Sequence, residues 1–250
     1  MNFQTRKTQI LRALDDRNSL DVKDLVDLLN ASEMTVRRDL AQLAASGLLI
    51  RTRGGAMRAG ADVRPFQFAN KTALNAHRKE YIAGLAANEI LDGDVIFMDC
   101  GSTVFRLCDF VRNKPITVIT NSLPIVGALL GSEVKINLVG GEIDHQRQAV
   151  HGRMAEQHIS HYRANRAFIG VGGISLANGL TANSEAEAST AIAMATCADR
   201  VYLLADSSKL EQDSYLQFAP LSLFDVLITD TEVDADVLER YRLAGVTMLN

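Results

Sequence analysis

The chain has 250 residues, of which 47% are hydrophobic, 22% are charged and only 4 are proline. This composition excludes collagen-like, disulfide-dense and wholly disordered proteins. The formal net charge of −4 argues against a surface coated for nucleic acid, because phosphate binding requires clustered lysine and arginine.

Residues 1–58 predict three short helices followed by a β-hairpin. In the first two helices apolar residues recur at helical spacing, and the third starts after Ser32, a favourable N-cap residue, and ends before Gly47. Residues 48–58 then form two β-prone runs around a Gly-Gly pair, a pattern typical of a hairpin. Elements in this order predict a winged helix-turn-helix domain over residues 1–58.

The third predicted helix has two different faces. Val36, Leu40 and Leu43 cluster on one side, whereas a methionine and two adjacent arginines point away from it. Arginine binds guanine or phosphate through its planar fork, so the second face is a candidate for reading DNA. The alternative is a small helical cap with a solvated charged face. We expect DNA contacts from eight residues of this helix and the hairpin: Ser32, Met34, Thr35, Arg37, Arg38, Arg51, Arg53 and Arg58.

After a predicted linker at residues 59–70 and a helix at 71–91, short apolar runs alternate with helical stretches. Strands are predicted at 94–99, 116–120, 134–139, 167–171, 201–205 and 224–229. Helices are predicted at 103–111, 123–131, 152–162, 185–198 and 234–243. This alternation predicts an α/β domain over residues 71–250, with a mostly parallel sheet covered on both faces.

Charge divides at the same boundary. Residues 1–58 contain ten basic and seven acidic residues, a balance of +3, so the remainder carries −7. The excess of positive charge is concentrated in residues 32–58. The average of −4 therefore excludes a coated surface but not one compact DNA-binding head.

The third predicted helix and the hairpin carry a sequence signature that resembles that of a known family. The stretch Ser-Glu-Met-Thr-Val-Arg-Arg-Asp-Leu at residues 32–40, followed by Leu43, Gly47 and Arg53-Gly54-Gly55-Ala56, resembles the DNA-binding signature of the DeoR family of bacterial transcriptional regulators. The resemblance implies that the third helix is the recognition helix.

Small polar clusters follow the predicted strands of the second domain. They are Asp-Cys-Gly-Ser-Thr at 99–103, Thr-Asn-Ser at 120–122, Gly-Gly-Glu at 140–142, Gly-Val-Gly-Gly at 170–173 and Asp-Ser-Ser-Lys at 206–209. In open parallel sheets ligands bind beyond the carboxyl ends of strands, and glycine with hydroxyl groups at a helix start suits phosphate. Each cluster alone is weak, because tight turns need glycine for conformational reasons as well.

These clusters occur in the same order as in the DeoR-family sensor domain, which is similar to sugar-phosphate isomerases. The resemblance implies a phosphorylated sugar or sugar derivative as effector. Family members commonly carry a lysine soon after the acidic residue near 185, where this chain has Ser-Thr-Ala, which puts the ligand's identity in question. The matching effector-binding positions are Asp99, Gly101, Ser102, Thr103, Thr120, Asn121, Ser122, Gly140, Gly141, Gly172, Glu185 and Lys209.

The sequence thus predicts a transcriptional repressor of carbohydrate metabolism that a phosphorylated sugar releases from double-stranded operator DNA. Two half-sites require two heads, so we expect a homo-oligomer, a dimer or a tetramer. We expect no catalytic residue, metal or cofactor. The alternatives are a sugar-phosphate isomerase or deaminase with an accessory DNA-binding domain, and an architectural DNA binder without a ligand.

The cysteines and the hydrophobic runs indicate in which cellular compartment the protein is found. The three cysteines, Cys100, Cys108 and Cys197, fit neither a disulfide framework nor a zinc motif, so we expect buried thiols. The sequence has no apolar run that could span a membrane and no signal-peptide pattern, which favours a cytoplasmic protein.

Overall fold

The computed structural model of the chain describes residues 3–17, 19–45, 48–51, 55–58 and 66–250. It divides into two compact units, Met1–Arg64 and Pro65–Asn250, and each is considered by itself.

The N-terminal unit combines three helices with a small antiparallel sheet. In chain order its elements are α1 (Phe3–Arg17), β1 (Ser19–Asp21), α2 (Val22–Leu29), α3 (Glu33–Ala45), β2 (Leu49–Arg51) and β3 (Gly55–Arg58). The strands pair in the order β1-β3-β2, which makes this a winged helix-turn-helix unit, as the sequence predicts. The sequence does not predict β1, because three residues become a strand only by pairing with β3.

The apolar stripes of the three helices form the core of this unit. Ile10, Leu25, Val36, Leu40 and Leu43 are almost completely buried in one cluster, which confirms the predicted inward faces. Each Å² of apolar surface that is removed from water stabilises the folded state by about 25 cal/mol, which makes burial the main stabilising contribution. The predicted helix end at Gly47 lies outside the described residues.

Two backbone positions shape the turn and the wing. Asn30 adopts the left-handed region at φ 45°, which reverses the chain between α2 and α3. At Gly55 a Cβ atom would lie 2.0 Å from the carbonyl oxygen of Leu20, so only glycine lets β3 approach β1 this closely. The other glycine of the predicted hairpin turn, Gly54, lies outside the described residues.

The C-terminal unit is built around a seven-stranded parallel sheet in the order β15-β14-β12-β9-β4-β5-β6. Its helices are α4 (Phe66–Ala73), α5 (Ala76–Asn88), α6 (Ser102–Phe105), α7 (Cys108–Val111), α8 (Leu123–Leu129), α9 (Arg153–Ser160), α10 (Glu185–Thr196) and α11 (Ala235–Leu243). Its strands are β4 (Val95–Met98), β5 (Thr117–Thr120), β6 (Lys135–Leu138), β7 (Glu142–Asp144), β8 (Ala149–His151), β9 (Ala164–Gly170), β10 (Gly173–Ser175), β11 (Gly179–Ala182), β12 (Ala198–Leu204), β13 (Leu216–Ala219), β14 (Val226–Ile228) and β15 (Met248–Leu249).

Helices cover both faces of the large sheet, as the sequence predicts. On β4, Phe97 packs in one core cluster with residues of α9, α10 and α11, whereas its neighbours Ile96 and Met98 pack in a second cluster with α5, α7 and α8. Alternate residues of a strand point to opposite faces, so a strand buried on both faces is apolar throughout. This explains why the predicted strands inside the sheet read as short apolar runs, whereas the edge strand β6 is partly exposed.

Several elements escape the sequence analysis. The hairpin β7-β8, the three-stranded sheet β10-β11-β13 and the edge strand β15 consist of two to four residues each, and their strand state depends on pairing. The predicted helix at 103–111 is two short helices, α6 and α7.

The predicted linker at 59–70 requires a correction, because α4 begins at Phe66. The ring of Phe68 packs edge-to-face on Phe105 with centroids 5.3 Å apart, and this tertiary contact stabilises a helix that local periodicity does not indicate. Residues 59–65 lie outside the described residues.

Candidate functional site

Helix α3 of the N-terminal unit presents its predicted outer face to solvent. Met34 is 82% exposed, and Arg37 and Arg38 are exposed as well, whereas Val36 and Leu40 point into the core. Met34, Arg37 and Arg38 thus lie together on the exposed side of the first turns of this helix. The face has the chemistry of a DNA-reading helix.

Ser32 and Thr35 lie at the N-terminal end of this helix. The Ser32 hydroxyl accepts a hydrogen bond from the Thr35 N–H at 3.3 Å, and the two hydroxyl oxygens lie 2.9 Å apart. Ser32 is therefore the N-cap. Arg37 pairs with Glu33 one turn earlier, so its guanidinium already has an anionic partner in the free protein.

Of the three predicted hairpin arginines, Arg51 is the last residue of β2 and Arg58 is the last residue of β3. Arg53 lies outside the described residues.

A cavity of about 210 Å³ opens in the C-terminal unit beyond the carboxyl ends of β4, β9 and β12. Six of the twelve predicted effector-binding residues line it: Asp99, Gly101, Ser102, Thr103, Gly172 and Lys209. This is the edge at which parallel sheets bind ligands, since the loops that follow neighbouring strands converge there.

The loop at 99–103 is the floor of the cavity. One oxygen of Asp99, Oδ2, accepts a hydrogen bond from the N–H of Gly170 at 3.2 Å. A Cβ atom at Gly101 would lie 3.3 Å from the Gly170 Cα atom, so glycine allows two strand ends to approach closely. The Ser102 hydroxyl lies 3.0 Å from the ammonium of Lys79. The hydrogen bonds of Asp99 and Ser102 and the close approach at Gly101 therefore connect this loop to β9 and α5.

Four cations surround the cavity, and the sequence predicts only Lys209 among them. Lys71 of α4, Lys79 of α5 and Arg147 of the β7-β8 loop also line it. Among the described residues, the ammonium groups of Lys71 and Lys209 have no hydrogen-bond or ion-pair partner. Three of the four cations thus come from segments with no recognisable motif.

The lysines influence one another. Burial lowers the pKa of Lys71, and the positive charges of Arg147 and Lys209 lower it further. Burial also lowers the pKa of Lys79, although the nearby Asp206 carboxylate opposes this effect. Positive charges held this close repel one another, so an anion in the cavity would relieve the repulsion.

The cluster Thr120, Asn121 and Ser122 lies outside the cavity, and all three side chains are completely buried. The Thr120 hydroxyl donates to the Met98 carbonyl, Asn121 donates to the Val150 carbonyl, and Ser122 caps α8. Hairpin β7-β8 covers this strand end, because the Val150 N–H donates to the Asn121 carbonyl and the Asn121 side-chain amide donates to the Val150 carbonyl. These three residues have structural roles in this unit.

Gly140, Gly141 and Glu185 also lie outside the cavity. The N–H of Gly140 donates to His158 Nδ1 at 2.9 Å, and Gly141 has a positive φ of 148°. Glu185 is exposed on the first turn of α10, and the carboxylate of this helix that lines the cavity is Glu187, one half-turn later. Glu187 could have been recognised, because Ser184 and Glu187 have the spacing of a capping box.

All three cysteines are free and buried, and burial raises the pKa of the Cys100 thiol well above its ordinary value. In the part of the chain that the structure describes, no group of His, Cys, Asp and Glu could hold a metal ion, and no helix is long and apolar enough to cross a membrane.

Two family models match the chain. The model described as the DeoR-like helix-turn-helix domain matches residues 6–60, and the model described as the DeoR C terminal sensor domain matches residues 74–231.

Curated relatives match the chain almost from end to end. The HTH-type transcriptional repressor GlcR of Bacillus subtilis is 33% identical over 244 residues, which cover 96% of this chain and 94% of that protein. The HTH-type transcriptional regulator GlpR of Haloferax volcanii is 33% identical and covers 98% of this chain and 96% of that protein. The lactose phosphotransferase system repressor of Staphylococcus epidermidis is 32% identical, with 92% and 93% covered.

Among solved structures, ribose 5-phosphate isomerase A of Methanocaldococcus jannaschii is similar over 54% of this chain and 55% of that chain, with 19% identity and a TM-score of 0.40. Nothing about activity follows from this likeness.

Proposed function

Because the chain belongs to the DeoR family, and is a DNA-binding transcriptional repressor rather than an enzyme, we propose that it represses a carbohydrate-metabolism operon and that a phosphorylated sugar or sugar derivative releases it from its operator. Residues 1–58 bind double-stranded operator DNA in this proposal, and residues 71–250 bind the effector. The relative from Staphylococcus epidermidis, a lactose phosphotransferase system repressor, supports the link to sugars by its name.

The observation that carries the proposal is the convergence of Lys71, Lys79 and Lys209 on one cavity. Lys71 and Lys209 have no ion-pair partner among the described residues. Burial lowers the pKa of Lys71, and neighbouring positive charges lower it further, whereas for Lys79 burial lowers the pKa against the opposing effect of the Asp206 carboxylate. A phosphate group carries close to two negative charges at neutral pH and accepts several hydrogen bonds, so it satisfies such a cluster. The hydroxyls of Ser102 and Thr103 supply further donors at the cavity floor.

Two of these lysines belong to the elements that directly follow the 59–65 segment in the chain. Lys71 lies on α4, and the Lys79 ammonium donates both to the Lys71 carbonyl and to the Ser102 hydroxyl. A phosphate bound at Ser102 would therefore act on α4 through Lys79. Movement of α4 would change the connection to the DNA-binding residues, and effector and DNA would then be linked as reciprocal ligands.

Operator recognition in this proposal uses α3 and the hairpin. Two heads on half-sites about 34–36 Å apart require at least a dimer, and binding of effector would favour an arrangement of heads that does not match this spacing. We place the protein in the cytoplasm, where operator DNA and sugar phosphates occur together.

A gel-shift titration tests the proposal, with DNA from upstream of the chain's own gene and of adjacent genes, with and without a panel of phosphosugars. At least one phosphosugar is expected to release the wild-type protein. Lys209→Ala is expected to bind the same DNA and to need at least about tenfold more of that phosphosugar, because one charge-assisted hydrogen bond is lost. Lys135→Ala, an exposed lysine of β6, is the matched control. Release of Lys209→Ala at the wild-type concentration would contradict the proposal.

A further inference from the structure

An ion pair forms one wall of the cavity, apart from the three lysines. Arg147, in the loop between β7 and β8, pairs with Glu187 on the first turn of α10. Both side chains line the cavity and are partly buried, at 20% and 18% exposure.

The pair is held in place from both sides by backbone contacts. The N–H groups of Gln146 and Arg147 donate to one oxygen of Asp144, at 2.8 and 3.2 Å. On the other side, Glu187 Oε2 accepts the N–H of Asn183 at 2.9 Å, and the Glu187 N–H donates to the Ser184 hydroxyl at 3.3 Å. The geometry of the ion pair therefore does not depend on a ligand.

A layer of buried polar groups backs this wall. The ring of His151 bridges Thr190 of α10, with 3.0 Å between Nδ1 and Oγ1, and Cys100 of the cavity floor, with 3.8 Å between Nε2 and Sγ. Thr190 follows Glu187 by three residues, so the two residues are neighbours on one face of α10. These contacts position Arg147 and Glu187, and a site that distinguishes between ligands requires side chains positioned by their neighbours.

The two parts of the cavity differ in charge. Lys71, Lys79 and Lys209 outnumber the carboxylates beside them, Asp99 and Asp206, so this part has a net positive charge. Arg147 and Glu187 instead neutralise each other and offer donors and acceptors side by side. Sugar hydroxyls both donate and accept, so they suit such a pair. A second acidic group could bind Arg147 only by breaking the ion pair and leaving the partly buried Glu187 carboxylate without its partner, which is disfavoured.

This inference rests on the proposed function. We propose that Arg147 and Glu187, with Asn183, which also lines the cavity, form a specificity subsite. The subsite binds the uncharged, hydroxyl-bearing end of a monophosphorylated sugar and rejects sugar phosphates with a second acidic group. The lysines bind the phosphate, and this pair decides which sugar is accepted.

Isothermal titration of the full-length chain tests the subsite. The probes are glucose 6-phosphate, fructose 6-phosphate and fructose 1-phosphate as neutral sugars, 6-phosphogluconate and fructose 1,6-bisphosphate as diacids, and inorganic phosphate. The wild type is expected to bind at least one neutral-sugar monophosphate about tenfold more tightly than either diacid. Glu187→Gln removes the negative charge but retains a capping side chain, and it is expected to lower that preference about tenfold.

Glu185→Gln is the matched control, because it makes the same charge change on the same helical turn outside the cavity. It is expected to keep the wild-type preference, and circular dichroism checks that both variants are folded. An unchanged preference in Glu187→Gln, or a wild-type preference for a diacid, overturns the subsite.

Inorganic phosphate separates the two proposals. If the wild type binds neither phosphate nor any sugar phosphate, or if Lys209→Ala binds phosphate as tightly as the wild type, the proposed function fails. If Lys209→Ala loses phosphate affinity while Glu187→Gln keeps the wild-type preference, only the specificity subsite fails.

Discussion

The guanidinium of Arg6 binds the carboxylate of Asp39 through two hydrogen bonds, from Nε to Oδ2 at 2.6 Å and from Nη2 to Oδ1 at 3.2 Å. Asp39 directly follows Arg37 and Arg38 on α3, yet its side chain is buried while theirs are exposed. The pair joins α1 to the inner side of α3, the side that also carries the buried Val36 and Leu40. Arginine and carboxylate meet here in their most directional, two-bond arrangement.

Asp39→Ala is expected to destabilise the N-terminal unit, because it leaves the buried Arg6 guanidinium without its carboxylate. The double variant Arg6→Met/Asp39→Leu is expected to be more stable than Asp39→Ala, since it removes both charges and adds apolar packing. Urea denaturation followed by circular dichroism measures both. Asp24→Ala, an exposed acid on α2, is the control and is expected to stay close to wild type. The reverse order of the two variants would contradict this account.

Arg37→Ala and Arg38→Ala are each expected to weaken operator binding by roughly tenfold to a hundredfold, the value of one base or phosphate contact at about 1–3 kcal/mol. Arg37 must leave Glu33 to contact DNA, so its loss is expected to cost less than that of Arg38. Gel-shift titration at several salt concentrations measures the affinity and its salt dependence. Lys23→Ala on α2 is the control for net charge. Wild-type affinity in the double arginine variant would refute α3 as the recognition helix.

Lys79→Met is expected to weaken binding of inorganic phosphate at least about tenfold, because the ammonium that contacts the Ser102 hydroxyl is lost. Lys114→Met is the matched control. The Lys114 ammonium donates to the carbonyls of Ala87 and Ile90 at the far end of α5, so its loss is expected to lower stability without changing phosphate affinity. Thermal unfolding and isothermal titration distinguish the two effects. Equal phosphate affinities in the two variants would argue against the role of Lys79.

His151 is expected to make stability fall in mild acid. Burial lowers the pKa of His151 below 6.5, although the Asp99 carboxylate opposes this effect. Below pH 6.5 the unfolded chain therefore binds a proton more readily than the folded chain, and stability falls as the pH decreases, by at most about 1.4 kcal/mol per pH unit for one proton. Above pH 6.5 the contribution is constant.

Urea denaturation between pH 5 and 8 measures this dependence. His151→Asn is expected to flatten the acid limb, whereas His161→Asn, at an exposed position, is expected to keep it. The same acid limb in both variants would show that other groups cause it.

The sequence predicts this molecule wherever the signal is local and periodic. The inward stripe of Val36, Leu40 and Leu43 and the apolar runs of the six strands follow from helical and strand periods, because one face or both must be buried. The loop at 99–103 is also predicted from a local signal, because it combines glycine and hydroxyl residues at the end of a buried strand.

Two similar polar clusters show that a local sequence pattern does not predict which residues line the cavity. Residues 99–103 and 120–122 both follow a strand and open a helix, yet only the first lines the cavity. Hairpin β7-β8 pairs its backbone with Asn121 and covers that strand end. No local signal distinguishes the two, because the covering strand comes from about thirty residues later in the chain, at Val150.

The sequence by itself determined the winged helix-turn-helix head, the parallel sheet and the edge of that sheet at which a ligand cavity forms. Only the tertiary structure decided which side chains meet there: Lys71 from α4, Lys79 from α5, Arg147 from a hairpin loop and Glu187 from α10. Each belongs to a different element, and a side chain's neighbours across the fold depend on packing and loop closure rather than on its own stretch of sequence.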